Sequence, residues 1–230
     1  MKLTVLGKYG PFPKAGEGAA SGYLFEENGV KIAMDMGAGV LARLMAATDM
    51  STLDAVYISH LHYDHTSDLL PLRYLLDSLN KKLTVITQKE DSEWYRILFG
   101  SPRFEVININ ESSVLSIKGL TLTFAEMEHP ARDFAIKIQS GGKSFVYTGD
   151  TVMTPALLTF TKGADMVLSD CTKPETFRGP HMTTADAVKL QKNAGGKLIA
   201  SHFAPSDEPA AALTHNQSIL PAEEGKTYEI

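Results

Sequence analysis

The sequence contains a single cysteine, Cys171, among its 230 residues. One cysteine excludes an intrachain disulfide, and such sparse cysteine usage fits a reducing compartment. Residues 1–18 lack the long apolar run of a signal peptide, and no segment approaches the length of a transmembrane helix. We therefore expect a soluble cytoplasmic protein with no membrane partner.

An excess of basic residues is also missing. The chain has 22 lysines and arginines against 27 acidic residues, so its formal net charge is −5. A dedicated binder of long nucleic acids needs a basic face to offset phosphate charge. The charge balance therefore argues against that class, although it permits a local basic patch. At 230 residues, 43% of them hydrophobic, the chain can build a sizeable core. We expect one large domain that spans residues 1–230.

The densest group of potential metal ligands follows a short apolar segment. Residues 55–59 (AVYIS) are β-prone, which predicts a buried strand. His60 and His62 come next, and in an extended loop they point the same way because side chains alternate. Asp64 and His65 follow where the chain bends toward a helix, so they can face a second point. Imidazole and carboxylate are the ligands that a Zn²⁺-type ion prefers when thiolate is absent, so this pattern predicts two adjacent metal ions.

The rest of the chain shows strand and helix patterns. Isolated strands are predicted at residues 2–7, 83–87, 104–109, 113–117, 120–127, 166–169 and 197–200. Hairpins are predicted for residues 21–26 with 30–35, across Asn28-Gly29, and for 134–139 with 144–147. Helices are predicted at residues 40–48, about 66–80, 90–99, 155–160 and 184–193. This order is typical of an α/β protein with two sheets and helices packed outside them.

Three more ligand-type residues, His129, Asp150 and His202, each follow the last residues of a predicted strand. Strand ends lie together at one edge of a sheet, where functional groups collect because the scaffold is rigid and the loops can vary. A carboxylate has two oxygens and can span two cations, which imidazole cannot. Asp150 is therefore the candidate bridge of a two-metal site.

The segment His60-Leu61-His62-Tyr63-Asp64-His65, together with His129, residues 147–151 (YTGDT) and residues 201–205 (SHFAP), resembles the metallo-β-lactamase-fold hydrolases. The closest resemblance is to the ribonuclease Z-like branch, and it covers almost the whole chain. It implies an α/β fold of four layers, an αββα sandwich. It also implies one metal ion on His60, His62 and His129. A second ion would take Asp64, His65 and His202, with Asp150 bridging both.

His181 precedes a predicted helix cap at Thr183 or Thr184. It resembles the histidine of the segment that reaches the substrate in ribonuclease Z-like proteins. Its expected role is to protonate the leaving oxygen or to hold a substrate phosphate. Asp170 stands where the family often has Glu and would orient His181. Asp64, Asp170 and His181 are therefore the expected catalytic residues.

The resemblance implies hydrolysis through a metal-bridging hydroxide, and we expect a small or short phosphodiester as the substrate. Ribonuclease Z proper carries a long basic arm between its third histidine and its bridging aspartate. Here only residues 130–149 separate His129 from Asp150, which argues against tRNA 3′ processing. A carboxylic ester, lactone or thioester hydrolase is an alternative on the same site, because fold alone does not decide the substrate. A non-catalytic metal-binding module is an alternative of another class.

Zn²⁺ is the expected metal, with Mn²⁺ or Fe²⁺ as alternatives, because dinuclear sites rich in His and Asp accept each ion according to its availability. The family resemblance suggests a homodimer. Three other features receive structural interpretations. The aromatic residues of helix 90–99 are expected to pack in the core or at an interface. Cys171 is expected to be a buried packing residue, and His215 is expected to lie on the surface.

Overall fold

The computed structural model describes residues 1–206, 213 and 216–230. These residues divide into two compact units, Met1–Ile109 with Glu224–Glu229, and Asn110–Glu223 with Ile230. Each unit contains a seven-stranded mixed sheet. The prediction of one domain over residues 1–230 stays a prediction.

The sheet of the first unit has the strand order β14-β1-β2-β3-β4-β5-β6. Its strands are β1 (Lys2–Gly7), β2 (Gly22–Glu27), β3 (Val30–Met34), β4 (Ala55–Tyr57), β5 (Leu83–Gln88), β6 (Phe104–Ile109) and β14 (Thr227–Glu229). The helices are α1 (Val40–Ala47), α2 (Tyr63–Thr66), α3 (Leu69–Ser78) and α4 (Glu93–Phe99), with a 3₁₀ turn at Met50–Thr52. Strands β3 to β6 run parallel. The loops that follow β3 and β4 therefore leave the sheet at the same edge.

The sheet of the second unit has the order β13-β12-β11-β10-β9-β8-β7. Its strands are β7 (Val114–Ile117), β8 (Leu120–Met127), β9 (Asp133–Ser140), β10 (Lys143–Tyr147), β11 (Met166–Asp170), β12 (Lys197–Ser201) and β13 (Ile219–Pro221). The helices are α5 (Pro155–Thr161) and α6 (Thr184–Ala194). Strands β10 to β13 run parallel, so the segments that follow β10, β11 and β12 leave the sheet at one edge.

Local sequence signals account for most of these elements. The β2–β3 hairpin turns at Asn28 and Gly29, which both have the positive φ angles of a two-residue turn, 50° and 79°. Thr154 accepts a hydrogen bond from the Leu157 N–H and places Pro155 at the first helical position of α5. These features confirm the predicted hairpin and the predicted helix start.

Two helix predictions were wrong at their boundaries. The helix expected from about residue 66 to 80 is divided into α2 and α3, because the Asp68 carboxylate accepts a hydrogen bond from the Leu41 N–H at 2.7 Å instead of capping its own helix. Pro71 is the third residue of α3, where a backbone N–H would have no partner within the helix. The helix expected from residue 90 begins at Glu93, after the Ser92 cap. The short strands β13 and β14 were not predicted.

Each unit has its own hydrophobic core. The first core includes Val56, Leu44 and Leu98, and Trp94 packs against its side. The second core includes Val167 and Leu190. The packing interpretation of the aromatic helix is therefore confirmed. None of the described helices is long and apolar enough to cross a membrane.

Candidate metal centre

In the first unit, the chain leaves β4 through a segment that the Asp35 carboxylate holds in place. The Ile58 N–H still donates to the Ile86 carbonyl at 2.9 Å. The Ser59 N–H and Oγ then both donate to Asp35, at 2.8 Å each. Asp35 and Ser59 are buried, so these hydrogen bonds satisfy a carboxylate that would otherwise be costly to bury. They fix the backbone immediately before the first predicted ligand.

His60 and His62 form a close pair in this loop. His60 Nε2 lies 3.0 Å from His62 Nδ1, and His60 Nδ1 lies 3.1 Å from Ser59 Oγ. Two ligands on one tetrahedral Zn²⁺, with bonds of about 2.0–2.1 Å, stand about 3.3 Å apart. The spacing of the two ring nitrogens therefore suits two ligands of one ion.

Asp64 and His65 lie in α2, and both are buried. His65 Nε2 is 3.6 Å from Asp64 Oδ2, while His65 Nδ1 is 2.7 Å from Asp35 Oδ2. A carboxylate on the far ring nitrogen is the usual partner of a metal-binding histidine, since it fixes the ring and raises its basicity. This pair therefore has both the spacing and the support of metal ligands.

Sequence reasoning missed Asp35. It adopts a positive φ of 58° at the end of β3. Gly37 lies two residues after it, and a Cβ on Gly37 would lie 2.0 Å from the Asp64 carbonyl oxygen. The Met36 N–H donates to the His65 carbonyl at 2.7 Å in the same region. Asp35 shares its strand-end position with Asp150, but its role depends on His65 and Ser59, which are distant in sequence.

In the second unit, Asp150 follows β10 through a tight turn at Gly149. The Asp150 N–H donates to Asp133 Oδ2 at 3.1 Å, and both carboxylates are buried. Gly149 has a φ of 61°, and a Cβ there would lie 2.3 Å from Asp133 Oδ1. Glycine is therefore required for Asp150 to reach this position. Asp133 was also missed, because nothing in its local sequence distinguishes it from a residue at the start of a strand.

Asp150, Asp170, His181 and His202 offer donor atoms that all lie within 4.8 Å of one another. His202 Nε2 is 3.1 Å from Asp150 Oδ2, a spacing that again suits two ligands of one ion. His202 has a φ of 66°, and its carbonyl accepts a hydrogen bond from Thr172 Oγ1 at 3.1 Å. Strained backbone of this kind persists where the surroundings hold it, often at functional sites.

Asp170 and His181 form a hydrogen-bonded pair in this group. His181 Nδ1 is 2.6 Å from Asp170 Oδ2 and 3.9 Å from Asp150 Oδ2. Asp170 is buried at the end of β11, and the His181 ring stacks on that of His202 with centroids 4.9 Å apart. The structure thus brings both residues of the predicted pair together beside Asp150.

His129, the remaining predicted ligand, follows β8 in the second unit. Its Nδ1 is 3.2 Å from the Pro180 carbonyl oxygen, and its ring centroid is 5.5 Å from that of His181. A hydrogen bond from Nδ1 to a backbone carbonyl orients the ring and leaves Nε2 as the nitrogen that could bind a metal ion. His215 lies outside the described residues.

The donor sets of both units fit a divalent ion of the zinc class. They consist of imidazole and carboxylate at ligand-to-ligand spacings of 3.0–3.6 Å, with buried carboxylates behind the histidines. Cys171 is not among the donors. Its Sγ contacts the Ser169 carbonyl, and burial raises the pKa of its thiol, which keeps it protonated at neutral pH.

Two clefts of the second unit adjoin these histidines. One, of about 440 Å³, is lined by His181, Met153 and Phe177 among others. The other, of about 300 Å³, is lined by His129 and Pro180. Val152 and Gly179 line both clefts, so they are neighbouring parts of one surface.

Comparison with known proteins places this chain in a family. Residues 31–203 match the family described as the beta-lactamase superfamily domain. The chain is 33% identical over 214 residues to a probable metallo-hydrolase, YhfI of Bacillus subtilis, which covers 88% of this chain and 87% of the relative. The crystal structure of the YhfI metallo-β-lactamase fold protein superposes with a TM-score of 0.91, at 28% identity, over 99% of this chain and 98% of that one.

Two more distant proteins extend the comparison. The ribonuclease Z of Ignicoccus hospitalis is 23% identical over 263 residues, covering 88% of this chain and 87% of the relative. A crystal structure of a diphosphatase from the PhnP family has the same fold, with a TM-score of 0.80 at 15% identity over 99% of this chain and 96% of that chain. The predicted αββα sandwich and the resemblance to ribonuclease Z are confirmed. With residues able to bind metal ions in each unit, this chain belongs to the beta-lactamase superfamily and is a metal-dependent hydrolase.

Proposed function

We propose that this hydrolase is a dinuclear phosphodiesterase that cleaves a small or short phosphodiester. The observation that carries the proposal is the Asp170–His181 pair, 2.6 Å apart, with His181 only 3.9 Å from Asp150. His181 is not among the seven residues that the family signature assigns to the ions, and Asp170 holds its ring beside Asp150. A leaving alkoxide does need a proton donor at this position.

Two divalent ions are proposed, held by the residues that the family signature assigns. They are His60, His62, Asp64, His65, His129, Asp150 and His202. When bound, such ions lower the pKa of water and neutralise charge on phosphoryl oxygens. The ligand spacings and the buried carboxylates behind the histidines support this assignment within each unit. Zn²⁺ is proposed as the native metal, with Mn²⁺ and Fe²⁺ as alternatives.

The chain's own contribution at the leaving group comes from His181. Asp170 accepts the hydrogen bond of Nδ1, which fixes the proton on that nitrogen and makes Nε2 the atom that exchanges a proton with the substrate. In the imidazolium form, Nε2–H can protonate the departing oxygen, and Asp170 stabilises the positive charge. Asp64 is proposed as the remaining catalytic carboxylate.

Two features of the second unit support a small substrate. The cleft beside His181 measures about 440 Å³, which is within the usual range for small-molecule sites. Between His129 and Asp150, the β9–β10 hairpin occupies nearly all residues, with a turn at Gly141 and Gly142, so this interval holds no long arm. The relative named ribonuclease Z acts on RNA, whose backbone is a phosphodiester, which supports the bond type but not the length of its substrate.

The test is a substrate comparison on protein reconstituted with Zn²⁺ or Mn²⁺. Initial rates are measured with bis(p-nitrophenyl) phosphate, p-nitrophenyl acetate and γ-butyrolactone, and Asp150→Asn serves as the control. We expect metal-dependent turnover of the phosphodiester to exceed that of both carbonyl substrates and to disappear in the control. Metal-dependent turnover of the acetate or the lactone alone would replace the proposal with the carboxylic ester, lactone or thioester alternative.

A homodimer and a cytoplasmic location are also proposed, on the family resemblance and the cysteine usage of the sequence. Sedimentation velocity of the purified protein tests the first. A single monomeric species at micromolar concentration would contradict it.

A further inference from the structure

We infer that Trp94 is a positioning residue for the His60–His62 pair, and that its indole emission reports metal binding there. The inference rests on the metal centre proposed above. It assigns to helix α4 a role that neither the ligand signature nor the leaving-group pair contains.

The contact that carries the inference is a hydrogen bond to the residue between the two histidines. Trp94 Nε1 donates to the Leu61 carbonyl oxygen at 3.1 Å. The Leu61 side chain is buried in the core of the first unit. Leu61 is therefore held by its side chain from one direction and by its carbonyl from another. Leu61 joins the two histidines along the backbone, so its position helps to set the 3.0 Å spacing of their ring nitrogens.

Trp94 is itself firmly placed. It stands in the first turn of α4, whose start is capped by Ser92 Oγ accepting from the Tyr95 N–H. Its ring packs against the core, and Arg73 joins α3 to α4 by donating to the Ile97 carbonyl at 3.0 Å. An indole N–H donates and never accepts, so its bond to a carbonyl has one direction only. Helix α4 thus acts as a fixed support for the metal loop.

The expected consequence concerns affinity for metal. Groups that orient metal ligands without touching the ion typically change metal affinity by about 10–100-fold when they are lost. Loss of the Trp94 hydrogen bond should therefore weaken the ion held by His60 and His62 by a factor in that range. Because the chain has one tryptophan, its tryptophan emission comes from this position alone.

The test compares Trp94→Phe with Tyr95→Phe in competition with a chromogenic zinc chelator. Tyr95 is the neighbouring residue, and its hydroxyl bonds to Asn108 at 2.6 Å, so the control also loses one hydrogen bond from α4. We expect Trp94→Phe to bind one of its two Zn²⁺ ions at least tenfold less tightly than wild type, and Tyr95→Phe to match wild type. Equal zinc affinity in all three folded proteins would overturn the inference.

Two further measurements keep the result decisive if the smaller ring of phenylalanine disturbs the core. Replacing the single tryptophan with β-(benzothienyl)alanine during expression keeps the bicyclic shape and removes only the N–H donor, and the same loss of affinity is expected. In wild-type apoprotein, added Zn²⁺ should shift the Trp94 emission. Unchanged affinity of the isosteric protein, or emission insensitive to bound zinc, would contradict the inference.

None of these readouts uses substrate, so a protein that binds zinc as expected but cleaves no phosphodiester refutes only the proposed function.

Discussion

Three buried carboxylates stand behind the groups proposed to hold metal or move a proton. Asp35 contacts His65 at 2.7 Å, Asp133 accepts from the Asp150 N–H at 3.1 Å, and Asp170 contacts His181 at 2.6 Å. Burying a carboxylate is costly unless it is hydrogen-bonded or faces positive charge. Their presence is explained by the histidines and backbone donors that they orient, and by the cations proposed beside them.

Gly149 combines a close steric contact with a positive φ angle. Alanine there would combine a positive φ with a Cβ 2.3 Å from Asp133 Oδ1, whereas Gly142→Ala has a similar φ of 78° and open space around the Cβ. We expect both variants to lose about 1–2 kcal/mol in free energy of unfolding from the backbone conformation. Gly149→Ala should lose more and should also bind less metal, because Asp150 must move.

Chemical denaturation and metal analysis of the two purified proteins check this prediction. Equal unfolding free energies and equal metal contents for Gly149→Ala and Gly142→Ala would contradict it.

His181 yields a prediction that depends on the leaving group. General acid catalysis contributes about 10²–10⁴-fold, so His181→Ala should lower kcat by that order for a diester with a basic alkoxide leaving group. The loss should be smaller for bis(p-nitrophenyl) phosphate, because nitrophenolate departs without a proton. The measurement is kcat for both substrates, with bound metal quantified in parallel. Loss of a metal ion from His181→Ala would instead make His181 a ligand together with Asp150, Asp170 and His202.

At the scale of elements, helix α6 has a pH-dependent start. Thr183 Oγ1 and the Asp186 carboxylate form a reciprocal capping box, and Lys189 also contacts Asp186, at 3.2 Å. Burial raises the pKa of the Asp186 carboxyl, but the hydrogen bonds from Thr183 and Lys189 outweigh burial, so its pKa is lowered. A lowered folded-state pKa stabilises the protein above the unfolded-state value of about 3.9, and this stabilisation is lost as pH falls through the folded-state value.

Asp186→Asn should therefore reduce the free energy of unfolding by about 0.5–1 kcal/mol at neutral pH, and the difference from wild type should shrink below about pH 4. Urea denaturation of both proteins between about pH 7 and pH 3 measures it. A difference of constant size over that range would be inconsistent with the role of the ionised carboxylate.

The elements predicted correctly are those whose signals are local. The Asn28-Gly29 hairpin, the capped helix at Thr183 and the long strand β8 carry turn chemistry, caps or alternation in their own sequence. Strands β13 and β14 have three residues each and were missed because, unlike β4, they do not lie in a longer apolar run. The division between α2 and α3 was missed because Asp68 bonds to Leu41, 27 residues away.

At the scale of the whole molecule, the α/β class and the family could be read from element order and from the ligand-type residues at strand ends. The sequence did not reveal the roles of three supporting residues, Asp35, Asp133 and Trp94. Each of them contacts a residue that is distant in sequence. A ligand motif is local because several donors must reach one ion. The residues that support it come from wherever the fold brings a suitable side chain.

Membership of the superfamily shows that the chain is a metal-dependent hydrolase. It does not show which bond the enzyme cleaves, and that depends on the details of the site. In the second unit, those details are the His181 imidazole held by Asp170 and the cleft of about 440 Å³ beside it. The central claim is therefore that two ions and Asp150 together hydrolyse a phosphodiester.

The most direct test is the initial rate of bis(p-nitrophenyl) phosphate hydrolysis as Zn²⁺ is added back to the apoprotein in measured equivalents, for wild type and for Asp150→Ala. We expect no turnover without metal, a rise that levels off at two equivalents per chain, and no turnover in the variant at any loading. Full activity at one equivalent, or activity in Asp150→Ala equal to that of wild type, would contradict it.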